Sequence, residues 1–150
     1  MKKLSFLLAL LSLCACGGND HRYLNKDFPE NRWGSQSIQS FSFVIDETAT
    51  GDIMVSFSHI HDPGYDSVPV NVVVTYPDGK QQAKTVNLML KDPSGKLLSD
   101  CAGDICDLSA PIESNVTLPK GSYRIQIKNL SPLPFVPNVL AVGVEIHENK

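Results

Sequence analysis

Two histidines spaced by one residue and followed by an acid are the residues best suited to hold a metal ion. In His59-Ile60-His61-Asp62 a strand would place both imidazoles on one face, because side chains alternate along an extended chain. A zinc site needs a further ligand in fixed register. The competing reading is a polar strand end running into the turn Asp62-Pro63-Gly64, with Asp66 just beyond. A second set, Asp100, Asp104 and Asp107, could offer oxygens to calcium, but its spacing is not that of an EF-hand loop. Acidic turns of this kind are commonly only solvated. Nucleophilic catalysis finds no Gly-x-Ser-x-Gly elbow. No glycine-rich phosphate loop or basic-aromatic stripe for nucleic acid is present either. No apolar face is interrupted by an acid of the kind that hydrolytic chemistry buries. No catalytic residue and no cofactor are assigned, and the chain is expected not to be an enzyme.

The four cysteines carry a different chemistry. The start reads Met1-Lys2-Lys3, then a mostly apolar run from Leu4 to Leu13, then Cys14-Ala15-Cys16-Gly17-Gly18. This is the charge, apolar core and small-residue order of an export signal. The run is too short to span a bilayer, which takes about 20 residues. Leu13-Cys14-Ala15-Cys16 resembles a bacterial lipobox, with an aliphatic residue, a small one and the acceptor cysteine. In that reading Cys16 is diacylated on sulfur and becomes the mature N-terminus. Two or three acyl chains anchor stably where one does not. The alternative is a plain secreted protein cut nearby. Gly17, rather than an aspartate that would signal inner-membrane retention in some bacteria, favours the outer membrane and leaves its face open.

Cys101 and Cys106 remain, with four residues between them. In an oxidising envelope the expected state is a disulfide. Free thiols and a metal site are the alternatives, although a redox dithiol usually has two intervening residues. A loop this small gains less from closure than the roughly 3 kcal/mol of a 15-residue loop.

The elements that must carry these residues are extended. Removing residues 1–15 leaves 135, enough for one domain, and moves the formal charge from −3 to −5. That balance argues against nucleic acid and anionic lipid surfaces as partners. From residue 38 the apolar pattern has period two. Phe41, Phe43 and Ile45 form one row; Ile53, Val55 and Phe57 a second; Val68, Val70, Val72, Val74 and Tyr76 a third. Val86, Leu88 and Leu90 follow, then Tyr123, Ile125 and Ile127, then Leu140, Val142, Val144 and Ile146. Such rows with a polar reverse mark half-buried antiparallel strands. Turn chemistry separates them at Thr50-Gly51, Pro77-Asp78-Gly79, Pro93-Ser94-Gly95 and Pro119-Lys120-Gly121. Six or more one-faced strands must cover one another, so the expectation is an antiparallel β-sandwich of about six to nine strands. Residues 16–37 read as the lipidated N-terminus, tether and lead-in, and 38–150 as the sandwich. Tyr23, Phe28 and Trp33 fit neither period and are expected to pack the lead-in onto the domain. Residues 96–118 are the hardest to assign. Residues 129–138, with Pro132, Pro134 and Pro137, read as a loop.

Several segments in order then carry a resemblance. Trp33 precedes the strand Phe41-Ser42-Phe43-Val44-Ile45-Asp46 behind the lipobox. Asn87-Leu88-Met89-Leu90-Lys91-Asp92 leads into Pro93-Ser94-Gly95-Lys96, and Gly103-Asp104-Ile105 precedes Asp107. Gly121-Ser122-Tyr123-Arg124 opens a strand, and Leu133-Pro134 leads to Val142-Gly143-Val144-Glu145-Ile146. From about residue 20 to 147 this order is similar to the gliding-motility lipoprotein family GldH. The chain departs from it at Ser99–Gly103 and at Cys106-Asp107, where the family often has Tyr-Asp. The resemblance implies a small envelope lipoprotein of the motility and type IX secretion machinery, acting by protein–protein contact. It implies no site residues. The rival expectation is a surface lipoprotein that binds a carbohydrate or other small ligand on exposed rings. A coplanar exposed cluster of Trp33, Tyr65, Tyr76 and Phe135 would favour sugar, and their burial would favour a scaffold.

Overall fold

A computed structural model describes residues 20–149. The expected signal segment 1–15 and the expected acceptor Cys16 lie outside the described residues. The described chain is all-β and antiparallel throughout. Its strands are β1 (Asp20–Asn25), β2 (Trp33–Gly34), β3 (Ile38–Ile45), β4 (Ala49–Ile60), β5 (Ser67–Thr75) and β6 (Gln81–Met89). They continue as β7 (Asp100–Ala102), β8 (Ile105–Leu118), β9 (Gly121–Asn129), β10 (Phe135–Val136) and β11 (Val139–Asn149). Among the described residues that makes eleven, more than the six to nine expected. The excess comes from the two-residue β2 and β10, the three-residue β7, and β1, whose inward row His21, Tyr23, Asn25 is barely apolar.

Two sheets face each other, one in the order β1-β11-β4-β8-β7 and the other β3-β9-β5-β6; β10 and β2 form a small third ladder. The rows read from the sequence meet between them. Val72, Leu88, Ile125 and Val144 belong to one buried cluster with Ile53, Phe57 and Phe41. Trp33 is fully buried in it, edge-on to Phe28 at 6.3 Å and tilted against Phe57 at 6.4 Å. The lead-in is therefore part of the fold. Tyr23 stacks on Phe43 at 5.2 Å, closing the side where β1 and β3 lie opposite each other.

Prolines sit where no ladder bond is lost. Pro69 precedes the β5–β9 pairing, which begins at Val70. Pro111 lies on β8 beyond the reach of β7, where β8 is an edge. The hairpin expected at Pro77-Asp78-Gly79 joins β5 to β6. Gly79 takes φ 82 there, a conformation open to glycine, and its N–H donates to the Tyr76 carbonyl.

The connections separate into two ends. Asp20 and Asn149 share one end with loops 46–48, 76–80 and 119–120, called here the proximal end. Segments 26–37, 61–66, 90–99, 103–104 and 130–138 gather at the distal end.

Candidate functional site

The distal loops are bonded to one another rather than standing apart. Ile60 N–H donates to Asn138 O (3.0 Å), His61 N–H to Asp104 O (2.8 Å), and the Tyr65 hydroxyl to Pro137 O (2.8 Å). Ser35 N–H reaches Pro134 O at 2.9 Å, and its hydroxyl donates to Ser131 O at 2.7 Å. Buried Asn129 donates to the carbonyls of Trp33 and Gly34 (2.9 and 3.1 Å), fixing the lead-in beneath the proline loop. Each bond answers a backbone group that the two-residue β2–β10 ladder and the loops around it would otherwise leave unpaired.

On this frame sit exposed apolar side chains. Of the large ones exposed among the described residues, Ile38, Met89, Leu98, Ile105 and Leu133 lie toward the distal end, and only Val44 toward the proximal end. Leu133, at the tip of the proline loop, is 61% exposed. Phe135 is capped by the Arg32 guanidinium 4.6 Å from its ring centre. Charged groups of loops 61–66 and 90–99 lie at the same end. Lys91 Nζ lies 3.0 Å from Asp62 and 3.5 Å from Asp66, which raises the lysine's pKa and lowers that of Asp62. Asp92 accepts from the Ser94 hydroxyl and from the N–H groups of Ser94 and Lys96, which shapes the Pro93-Ser94-Gly95 turn and lowers the Asp92 pKa.

Cys101 and Cys106 stand opposite each other on the β7–β8 hairpin and are joined by a disulfide. It clips the Gly103-Asp104 turn, whose Asp104 carbonyl holds His61. Asp107, the last of the three acids considered for calcium, instead accepts from the Ser58 hydroxyl and lies 3.5 Å from Arg22.

The histidine pair does not form a joint site. His59 points inward and is fully buried. Its Nδ1 meets the Ile60 carbonyl at 2.8 Å, so Nδ1 carries the proton; Nε2, 2.8 Å from Ser99 Oγ, accepts from that hydroxyl. Burial lowers its pKa from 6.5 and keeps it neutral. His61 lies past the strand end, exposed, and Asp62 is paired with Lys91. Among the described residues no group of three or more His, Cys, Asp or Glu could hold a metal ion.

The four rings weighed for sugar binding do not share a surface. Trp33 is in the core, Tyr65 is partly buried and bonded to Pro137, Phe135 lies under Arg32, and Tyr76 is at the proximal end. Burial pushes the Tyr65 hydroxyl pKa well above its usual value.

One constellation escaped the sequence reading altogether. On the outer face of the larger sheet, Arg22 lies 3.0 Å from Glu145 and donates to Ser56 Oγ at 2.8 Å. Glu145, only 9% exposed, also accepts from Ser109 at 2.9 Å and lies 3.4 Å from His147, which reaches Asp20 at 3.0 Å. An acid is thus buried after all, within the polar row of β11, and its partners come from β1, β8 and β11 itself. Gly143 allows this, since a Cβ there would strike the Tyr23 carbonyl and the Leu24 side chain. Arg22 and Asp107 are 85 residues apart, and no local pattern announces such a group.

The described residues form an antiparallel β-sandwich whose distal loops are tied to one another by hydrogen bonds. The GldH lipoprotein family matches residues 22–146, and the chain belongs to that family. It is therefore a gliding-motility-associated lipoprotein of the cell envelope, from a family not known for enzymes. No curated protein matches the chain significantly. Among solved structures it is similar to the infectious bursal disease virus VP2 subviral particle, at 13% identity and a TM-score of 0.36 over 99% of this chain. It is also similar to the Gx strain of that virus, at 11% identity and a TM-score of 0.34 over 97%. The chain spans 37% of the length of each.

Proposed function

We propose that the mature protein is a non-enzymatic accessory component of the gliding and type IX secretion machinery, anchored in the outer membrane through acylated Cys16. It works by binding other envelope proteins with its distal end. The observation that carries this reading is the concentration of exposed apolar side chains at the end opposite Asp20. Ile38 and Met89 point out from the smaller sheet and Ile105 from the larger, so the contact surface is read from Leu133, 61% exposed at the tip of the proline loop, because loops of this kind carry recognition. The anchor adds a second argument. Cys16 lies four residues before Asp20, a span of at most about 14 Å. The proximal loops are then held against the lipid headgroups, and the distal loops face away from that leaflet. Confinement raises the effective concentration of weakly binding partners.

The test is co-purification from the native envelope. Leu133→Asp and Ile105→Asp should each reduce recovery of envelope partners without lowering the thermal midpoint of the protein. Cys16→Ala should abolish fatty-acid labelling and leave unprocessed precursor. Unchanged recovery with both loop variants, together with tight binding of a glycan by the purified protein, would favour the ligand-binding alternative.

A further inference from the structure

Exposed strand edges are templates for pairing, and folded proteins usually blunt them. Three of the edges here are blunted. β1 is six residues long and carries Asp20, His21 and Arg22. The β7–β8 edge has a three-residue strand, then Pro111, and Asn115 in the left-handed region at φ 53. On β6, Lys84 sits in the inward row and donates across to the Ile112 carbonyl at 2.7 Å.

The fourth edge, β3, has none of these guards. Its eight residues, Ile38 to Ile45, include no charge, no proline and no glycine. Its pairing with β9 runs without a register shift from Ile38 opposite Lys128 to Ile45 opposite Gly121. The outward row Ile38, Ser40, Ser42, Val44 is exposed at every position, and its two ends are 52% and 57% exposed. The inward row Phe41, Phe43, Ile45 is held in the core, so the strand is kept extended and rigid.

We propose that β3 accepts an extended, acidic segment of another envelope protein as a fifth strand of the smaller sheet. Charge selects the occupant. Behind the small Ser42 and the exposed Ile38 lie Arg124 and Lys128 on β9, and neither has an ion pair among the described residues. An arginine can cross one strand to reach the next, as Arg22 does when it passes β11 to reach Ser56 on β4. Arg124 laid across Ser42 meets a carboxylate on an added strand in the same way. A second copy is disfavoured at the centre of the edge, because pairing β3 with β3 about Ser42 sets the two Arg124 side by side, and the acid that follows each strand, Asp46, comes only opposite the far end at Ile38. Residues 17–19 are too few to fill an eight-residue edge. The strand lies on the side of the sandwich; its first residue, Ile38, reaches the distal end, while Ser40, Ser42 and Val44, on which the test rests, lie away from the distal loops.

Photocrosslinking residues introduced singly at Ser40, Ser42 and Val44 of the full-length protein, in its native envelope, test this. Thr85 on β6 serves as the control edge. The expected result is capture of one protein, with crosslinked residues stepping by two along a single segment that contains Asp or Glu. Thr85 should give little product. Arg124→Glu should lower the yield about tenfold, with an unchanged thermal midpoint, while Arg124→Lys retains it. Crosslinks to a second copy, to lipid alone, to a segment without acids, or equally from Thr85 would overturn the proposal.

Discussion

His59 shows how one side chain can carry a pH dependence. Burial disfavours its imidazolium, although the Ile60 carbonyl and Asp107 act the other way. The folded state therefore releases this proton at a lower pH than the unfolded chain, whose value is near 6.5. Between those values the unfolded state binds more protons, so stability falls as pH drops below about 6.5. For His147 burial is the largest single influence and lowers its pKa. Bonds and charges from Asp20 and Glu145 together outweigh it and raise the net value. Its contribution is complete below 6.5 and is lost as pH rises through the raised value, but the side chain is a third exposed and weighs less. Urea midpoints at pH of about 7, 6 and 5 should decline for the wild type, and decline less for His59→Gln. The single tryptophan offers a second test. Its indole N–H is buried without a partner. Trp33→Ala should cost about 3–5 kcal/mol by opening a cavity. Trp33→Phe should cost markedly less, since it removes an unpaired donor together with part of the ring. Denaturation followed by circular dichroism separates the two.

Among the elements, β3, β4, β5, β6, β9 and β11 were legible because each carries one apolar row with a polar reverse. The sandwich followed, since such faces must cover one another. β1 was not legible, because Tyr23 is its single large inward hydrophobe and long-range bonds hold the rest. β8 was obscured for a related reason. Its inward row Cys106, Leu108, Ala110, Ile112 is diluted by small residues and crossed by a bulge beside Ile53. The disulfide was readable because its partners are close in sequence. The Arg22 group and the meeting of the distal loops depend on topology, which periodicity does not encode. Arg22→Ala tests what holds β1. It leaves Glu145 nearly buried without its cation and should cost about 1–3 kcal/mol. Protection of the β1 amides from hydrogen exchange should fall first, while those of β5 and β9 stay slow. Leu88→Ala, in the common core, should instead cost about 2–4 kcal/mol and weaken both sheets together.

For the whole molecule, the β1–β11 ladder has a mechanical meaning. From Asp20, at the proximal end, β1 runs toward the distal loops in six consecutive pairs with β11. If a partner grips the distal end while lipid holds the N-terminus, tension runs along β1 rather than across it. The six pairs then share the load in shear, whereas a strand pulled sideways would unzip one pair at a time. Arg22, bridging β1 to Glu145 and Ser56, acts as a cross-tie on that seam. Pulling between an N-terminal handle and a handle at residue 133 should give a high first rupture force, reduced by Arg22→Ala. Pulling instead between residue 25 and residue 133, both at the distal end, loads β1 at its last pair, Asn25 opposite Val142, so that it unzips, and should rupture at lower force in the wild type. Under the proposed anchoring and distal contact, this seam would pass traction from partner to membrane without the chain unravelling from its first described strand.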